Sequence, residues 1–530
     1  MPTIDVFVEA FVLGVIAVAS VKILLVIFQR RPLPLPPGPK GLPFLGNIAD
    51  FPPEGELEWE HWLKHKDTYG PISSVTTFGT TFILIHSPEL ALELLEKRSA
   101  NYSNRQMVEL SSFAGFDKIV GFKQYGQTHR FMRKTLHTSI GTQSALTSYL
   151  PLHEKEVHRF LFRVLQEPDS LMNHLRTLTG AIILKMAYGY TVEPNKPDPL
   201  VDLADQALLH LGLSVAPSLV NLVPAFRYIP TWVPGTSWKK AIMGWRQHFD
   251  ETREKPFIFT KRRLDEGSSE KSFLLDAFRN RGDTISPTND DFILKWASVS
   301  MYLGGSDTTV HTLTSFFFTM ALFPGVQRKA QEEIDQVIGT SRLPTFGDRD
   351  SLPYINAVLL EAWRWHTVVP MSIPHAANAE DVVNGFRIPK GAVILPNIWW
   401  FMHDPAVYPN PSEFDPSRYL GSDPAPDPTR HIFGYGRRIC PGQALADSSV
   451  WLTIAQSLAV FNISRGLDES GREIDPITQY TPTSGMVSRV ESFNVTIKPR
   501  SSQHEALVRE VEKLHPWEAS DAEEVQKIVI

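Results

Sequence analysis

Phe433-Gly-Tyr-Gly-Arg-Arg-Ile-Cys-Pro-Gly442 holds Cys440, the only cysteine among 530 residues. A solitary cysteine forms no intramolecular disulfide and supplies no multi-thiolate zinc or iron–sulfur site. It can still serve as a nucleophile, a buried filler or a single axial ligand. Its neighbours favour the ligand. Gly436 and Gly442 let the backbone turn tightly and approach a flat cofactor. Arg438, two residues before the thiol, favours the thiolate and could neutralise a carboxylate on the same cofactor. Amide N–H groups of such a loop temper the charge on sulfur. Beyond Pro441, residues 443–452 read as a helix whose N-terminal dipole also favours an anionic sulfur.

The spacing F-x-x-G-x-R-x-C-x-G resembles the haem-binding loop of cytochrome P450 monooxygenases, with every fixed position filled by Phe433, Gly436, Arg438, Cys440 and Gly442. The resemblance implies haem b (iron protoporphyrin IX) as cofactor, with Cys440 as the proximal thiolate on its iron. It also implies a mainly α fold with a small β region, the haem lying between a long helix and the cysteine loop.

Composition agrees with a large globular enzyme: 42% hydrophobic, 11% aromatic, net charge −6. One cysteine and mild acidity argue against a disulfide-built secreted protein and against a nucleic-acid binder. No repeat or composition break divides the chain. Residues 6–28 are apolar but for Glu9 and Lys22, and as a helix would span about 34 Å, enough for a bilayer. Arg30 and Arg31 follow, which places the rest of the chain in the cytosol. A cleaved signal peptide fits less well, because no basic region precedes the run and no A-x-A site follows. The expected layout is a transmembrane anchor at 1–31, a proline-rich hinge at 32–40, a catalytic domain at 41–498 and a charged tail at 499–530. P450s of the endoplasmic reticulum have a similar hinge, which implies a single-pass protein of that membrane.

Residues 72–85 alternate β-formers around a turn and predict a hairpin. Tyr125 to Arg133 opens a helix on which His129 and Arg133 share a face. The family carries a tryptophan and an arginine at this spacing, both bonded to a haem propionate. Arg133 matches and His129 departs; an imidazole N–H could donate there, with a charge that varies near neutral pH. Residues 201–240 are apolar among prolines and read as a loop at the membrane surface or as core. Residues 290–322 predict one long buried helix, stopped by Pro324, with Gly304-Gly-Ser-Asp-Thr-Thr309 at its middle. Two glycines inside a helix cost about 1 kcal/mol each against alanine, and their missing side chains open a groove for a small ligand such as O2. This segment resembles the oxygen-activating stretch of P450s, which implies that Asp307 and Thr308 deliver protons.

Glu361 and Arg364 stand one turn apart on a helix, and in the family E-x-x-R precedes the cysteine loop in the same way. The resemblance adds Arg418 to them as a buried structural network. Phe113, Phe116, Met301, Gly304, Val369, Met371 and Met486 are expected to line an apolar pocket. No P-loop, dinucleotide motif or flavin-sized domain is present, so electrons must come from a separate NADPH–P450 reductase. Arg130, Lys134 and Arg437 are candidates to meet its acidic face. The reading is a monooxygenase acting with O2 on a lipophilic small molecule such as a terpenoid or polyketide. A thiolate-haem isomerase or dehydratase and a non-catalytic haem sensor are the alternatives.

Overall fold

Trp59 and Trp62, on one face of helix α1 (Glu58–Tyr69), are buried against Val75, Phe82 and Leu84 and so seat the helix on a small sheet. Strands β1 (Ile72–Thr77) and β2 (Thr80–Ile85) form the predicted hairpin, paired antiparallel from Ile72–Ile85 to Thr77–Thr80. Beside it lie β3 (Asn104–Arg105), β4 (His375–Ala376) and β7 (Val393–Pro396), in the order β1-β2-β7-β4-β3. Two hairpins stand apart from this sheet, β5 (Asp381–Val383) with β6 (Phe386–Ile388) and β8 (Phe461–Arg465) with β9 (Val495–Pro499). The computed structural model describes residues 33–194, 196–216, 218–279, 290–490 and 493–530. The expected anchor at residues 6–28 lies outside them, and among the described residues no single helix is long and apolar enough to cross a membrane.

The proline stretch is docked rather than free. Prolines offer carbonyls but no N–H, and Pro34, Pro36 and Pro37 accept hydrogen bonds from Arg387 N, Ser74 Oγ and Ser74 N at 2.8, 2.6 and 2.9 Å.

The bulk of the chain is helical. The elements that build the site are α2 (Gln127–Ile140), α3 (Leu150–Gln166), α4 (Leu171–Tyr188), α5 (Pro199–Val215), α6 (Ser237–Asp265), α7 (Asp290–Ser306), α8 (Thr308–Leu322), α9 (Pro324–Val337), α10 (Pro353–Trp365) and α11 (Gln443–Val460). Helices α8 and α11 are apolar nearly all round and run through the core, as a helix without a polar face must. Helix α7 crosses α4 closely because Gly305 has no side chain: a Cβ there would fall 2.7 Å from Ile183 Cδ1.

Two expectations are corrected, and one segment left without a role gains one. Residues 290–322 are two helices and not one, broken at Asp307 (φ −106°, ψ −46°). Residues 201–240 are not a continuous loop, since α5 occupies the first part; the connection to α6 leaves Tyr228 and Trp232 exposed. The charged tail after residue 500, to which the sequence assigns no role, is folded onto the domain. It folds as α12 (Ser502–Arg509), α13 (Val511–Leu514) and α14 (Ala522–Gln526), and buries Val508, Val511, Val525 and Ile528. Between them Trp517 lies under the guanidinium groups of Arg159 and Arg163 on α3, at 4.9 and 5.2 Å. Arg263 of α6 pairs with Asp521 and Glu524 at 2.7 and 3.0 Å. The tail therefore ties α3 to α6.

Candidate active site

A cavity of about 350 Å³ lies between the α7–α8 break and the cysteine loop. The loop is shaped by Gly436, held at φ 50°, where a Cβ would meet Leu95 O at 2.6 Å. That close approach allows Cys440 N to donate to Phe433 O at 2.7 Å, closing the turn. Phe433 packs edge-on against Trp363 of α10, ring centroids 5.3 Å apart. On the opposite side of α10, the carboxylate of Glu361 binds Arg364 bidentately, both contacts at 2.8 Å, and Arg418 at 3.1 Å. Asp415 N donates to the same carboxylate, and Arg364 donates to Met402 O and Glu413 O. Every charge of this group is hydrogen-bonded, the condition under which burying it is tolerable.

Cys440, Gly442, Phe433 and Arg438 border the cavity from below, His129 and Arg133 from α2, and Met301, Gly304, Thr308 and Val369 from the far side. Burial pushes the Cys440 thiol up, while the Gly442 amide and Arg133 pull it down. Burial, helped by Arg438, Arg133 and Arg105, pushes His129 down to about 3, so its ring is neutral at physiological pH and does not vary there. Both of its ring nitrogens are buried without a partner among the described residues.

Six residues expected at the site lie elsewhere. Gly436 packs on residues 95–99 behind the loop. Phe116 packs at a tilt of 34° against Phe249, ring centroids 4.4 Å apart, and Phe113 lies at the surface beside Trp238. Met371 joins the cluster around Trp59 and Trp62. Met486 is partly buried against the core but does not border the cavity. Asp307 also lies off the cavity wall. Its Oδ1 is 3.0 Å from His311 Nε2, and its Oδ2 accepts from Arg489 Nη2 at 3.2 Å. Burial alone raises its pKa, but the hydrogen bonds and charges of His311 and Arg489 outweigh that and hold the carboxyl below its ordinary range.

The sequence reading missed Arg105 and His375, which face each other across β3 and β4 and border the cavity. Arg105 donates to Gly121 O, Ile373 O and Pro374 O. Arg438 donates to Ser103 O, Val120 O and Lys123 O, and Arg133 to Ile439 O. None of these three guanidinium groups meets a carboxylate among the described residues; all their bonds run to backbone carbonyls. Burial lowers all three pKa values, that of Arg438 to about 10. Buried cations without counter-charges are costly. A flat ligand bearing two carboxylates, with a metal that takes sulfur, supplies what is missing. The donor set fits haem.

The family model for Cytochrome P450 matches residues 36–481. The chain belongs to the cytochrome P450 family. It is 46% identical over 497 residues, 93% of this chain and 91% of the relative, to cytochrome P450 monooxygenase claR of Ampulloclitocybe clavipes. It is 39% identical to the multifunctional cytochrome P450 monooxygenase af510 of Aspergillus fumigatus, covering 92% of each chain. The O-methylsterigmatocystin oxidoreductase of Aspergillus flavus is 37% identical, with 94% of each chain covered. This P450 is thus a haem-dependent oxidoreductase of the monooxygenase type with fungal relatives. Residues 499–530, packed against α3 and α6, lie beyond the family match.

Proposed function

We propose that this P450 inserts one oxygen atom of O2 into a lipophilic small molecule of secondary metabolism, with electrons from a separate NADPH–P450 reductase. The observation that carries the reading is that Cys440 and Thr308 border one cavity, with three arginines at its edge that meet no carboxylate among the described residues. Haem bound through a thiolate supplies O–O cleavage and oxidation of C–H bonds. The chain's own residues do the rest. Cys440 would hold the iron, with the Gly442 amide moderating its charge. Arg105, Arg133 and Arg438 would receive the carboxylates, and a ring N–H of His129 would be available to donate to one of them. Thr308 Oγ1 donates to Gly304 O at 2.9 Å, which spends its proton on the helix and leaves its lone pairs to accept from water in the cavity. Asp307, ionised and paired with His311 and Arg489, would relay protons from solvent towards this water rather than store one. Glu361, Arg364 and Arg418 keep the cysteine loop in place through Trp363 and Phe433.

Met301, Ile182, Val368 and Val369 give the cavity an apolar wall, which supports a lipophilic substrate. One relative is named for oxidising O-methylsterigmatocystin, and a terpenoid or polyketide intermediate is the class we infer here. Arg130, Lys134 and Arg437 are exposed and suit an acidic reductase face. The apolar run at residues 6–28 would anchor the chain in the endoplasmic reticulum membrane, with the catalytic part in the cytosol. Membranes carrying this P450 and a reductase should consume NADPH and O2 and oxidise a candidate lipophilic scaffold. Turnover of a peroxide without NADPH would favour an isomerase instead. Deletion of residues 1–31 should move the protein to the soluble fraction with haem still bound.

A further inference from the structure

Lys155, Arg159 and Arg163 follow one another at four-residue intervals and so line one face of α3. Like charges one turn apart repel, and such a stripe ordinarily faces water. Here the C-terminal segment covers it. Trp517 lies against both guanidinium groups, and Pro516 O accepts from Arg159 Nη2 at 2.7 Å. Helix α4 closes the opposite side with Ala181 and Lys185, leaving a pocket of about 20 Å³. One water-sized occupant needs only ~10–15 Å³. The pocket shares no residue with the cavity bordered by Cys440.

The charges around this pocket do not cancel. Glu156 binds Arg159 at 2.7 Å, Glu518 binds Lys155 at 2.7 Å, and Lys185 meets Glu270. Arg163 borders the same pocket and is only 7% exposed. Its Nε and Nη1 are buried without a hydrogen-bond partner among the described residues, as is Arg159 Nε. Glu156, whose charge reaches Arg163, is already bonded to Arg159. Burial lowers the Arg163 pKa to about 10, which still leaves it charged at neutral pH. The face of Trp517 attracts a guanidinium through its ring quadrupole, but it offers no lone pair to N–H groups in the guanidinium plane. A buried cation with free donors is costly. What would satisfy it is one negative charge with lone pairs, no larger than one or two water-sized atoms. Chloride meets both conditions; sulfate brings too many atoms and too much charge.

We propose that this pocket binds a small monovalent anion of the halide class, held by Nε–H and Nη1–H of Arg163 and Nε–H of Arg159 beside Trp517. Bound there, the anion joins α3, α4 and the C-terminal segment, so occupancy stabilises the folded chain by mass action. The site stands apart from the haem and does not depend on the monooxygenase reading.

The test is thermal unfolding of the full-length holoprotein while sodium chloride or bromide replaces sodium gluconate at constant ionic strength, which keeps screening fixed. The midpoint should rise and saturate with either halide, and sulfate should give no saturating rise. Arg163→Met keeps the apolar stem but removes the charge and the donors, and should weaken the apparent chloride affinity at least ~tenfold. Ala181→Val, which narrows the pocket without touching a charge, should do the same. The chloride NMR line should broaden in the presence of the unsubstituted protein and sharpen again when bromide is added, a reading that needs no variant. A midpoint that never saturates, a sulfate response equal to that of chloride, or an undiminished chloride response in either variant would overturn the site. So would a chloride line that the unsubstituted protein leaves narrow.

Discussion

Gly436 shows how much one hydrogen atom can decide. With φ at 50° and Leu95 O 2.6 Å from where a Cβ would stand, Gly436→Ala must both adopt a left-handed backbone and push the cysteine loop off residues 95–99. We expect a loss of at least ~2 kcal/mol in thermal unfolding, together with reduced haem retention. Cys440→Ala should abolish the red-shifted Soret band of the reduced CO complex while the protein still folds; a retained band would refute thiolate ligation. At this scale the sequence was legible where a motif is local. Phe433, Arg438, Cys440 and Gly442 lie within ten residues of one another, and all four border the cavity. Arg105 and His375 were not legible, because each sits on a two-residue strand with no periodicity to read, and they meet only through a pairing 270 residues apart. Gly436 was legible as a turn and misread as a cofactor contact, since sequence does not say which side of a loop a glycine frees.

Helix α10 works as a lever with two loaded faces. One face buries Glu361 and Arg364 with Arg418, and the other sets Trp363 against Phe433 of the cysteine loop. Arg364→Ala leaves the Glu361 carboxylate buried with only part of its partners and should cost about 3–5 kcal/mol by chemical denaturation. Arg364→Lys should recover little, because an ammonium does not reproduce the two-pronged contact. The E-x-x-R spacing was readable because it is a one-turn interval, but its energetic weight came only through the family resemblance, since the same interval on a surface is worth almost nothing. No proline marks the break between α7 and α8; Thr308 bonding a carbonyl one turn back, a local habit of threonine, loosens the helix there, whereas the contact of Asp307 with Arg489, 182 residues away, was not legible. Met371 and Met486 show the same limit, because apolar residues near a pocket in sequence fill an adjoining core equally well.

The molecule as a whole holds several histidines neutral in its interior. Burial pushes His153 and His366 down to about 4, against about 6.5 in an unfolded chain. Between these values the unfolded chain binds more protons than the folded one, so stability rises with pH through that window and is lost as pH falls from 6.5 towards 4. Each ring contributes up to ~1.4 kcal/mol per pH unit. Denaturant midpoints at pH 7 and pH 5 should differ accordingly, and substitution of His153 by a neutral residue that still packs should reduce the difference. The C-terminal segment adds a second expectation. Trp517→Ala removes the ring from under Arg159 and Arg163 and should cost about 2–3 kcal/mol, with faster hydrogen exchange in α3 and α6. Its charged composition hid this role, because the burial is confined to a few positions: Val508, Val511 and Val525 on short helices, with Trp517 partly buried between them.

Among the described residues the three guanidinium groups around the cavity bond backbone carbonyls and meet no carboxylate. An incoming porphyrin dianion would answer their charge, so taking up the pigment should stabilise the folded chain. The quantity of mature enzyme in a cell should then track its porphyrin supply, and copies synthesised ahead of that supply should be the ones that proteases remove.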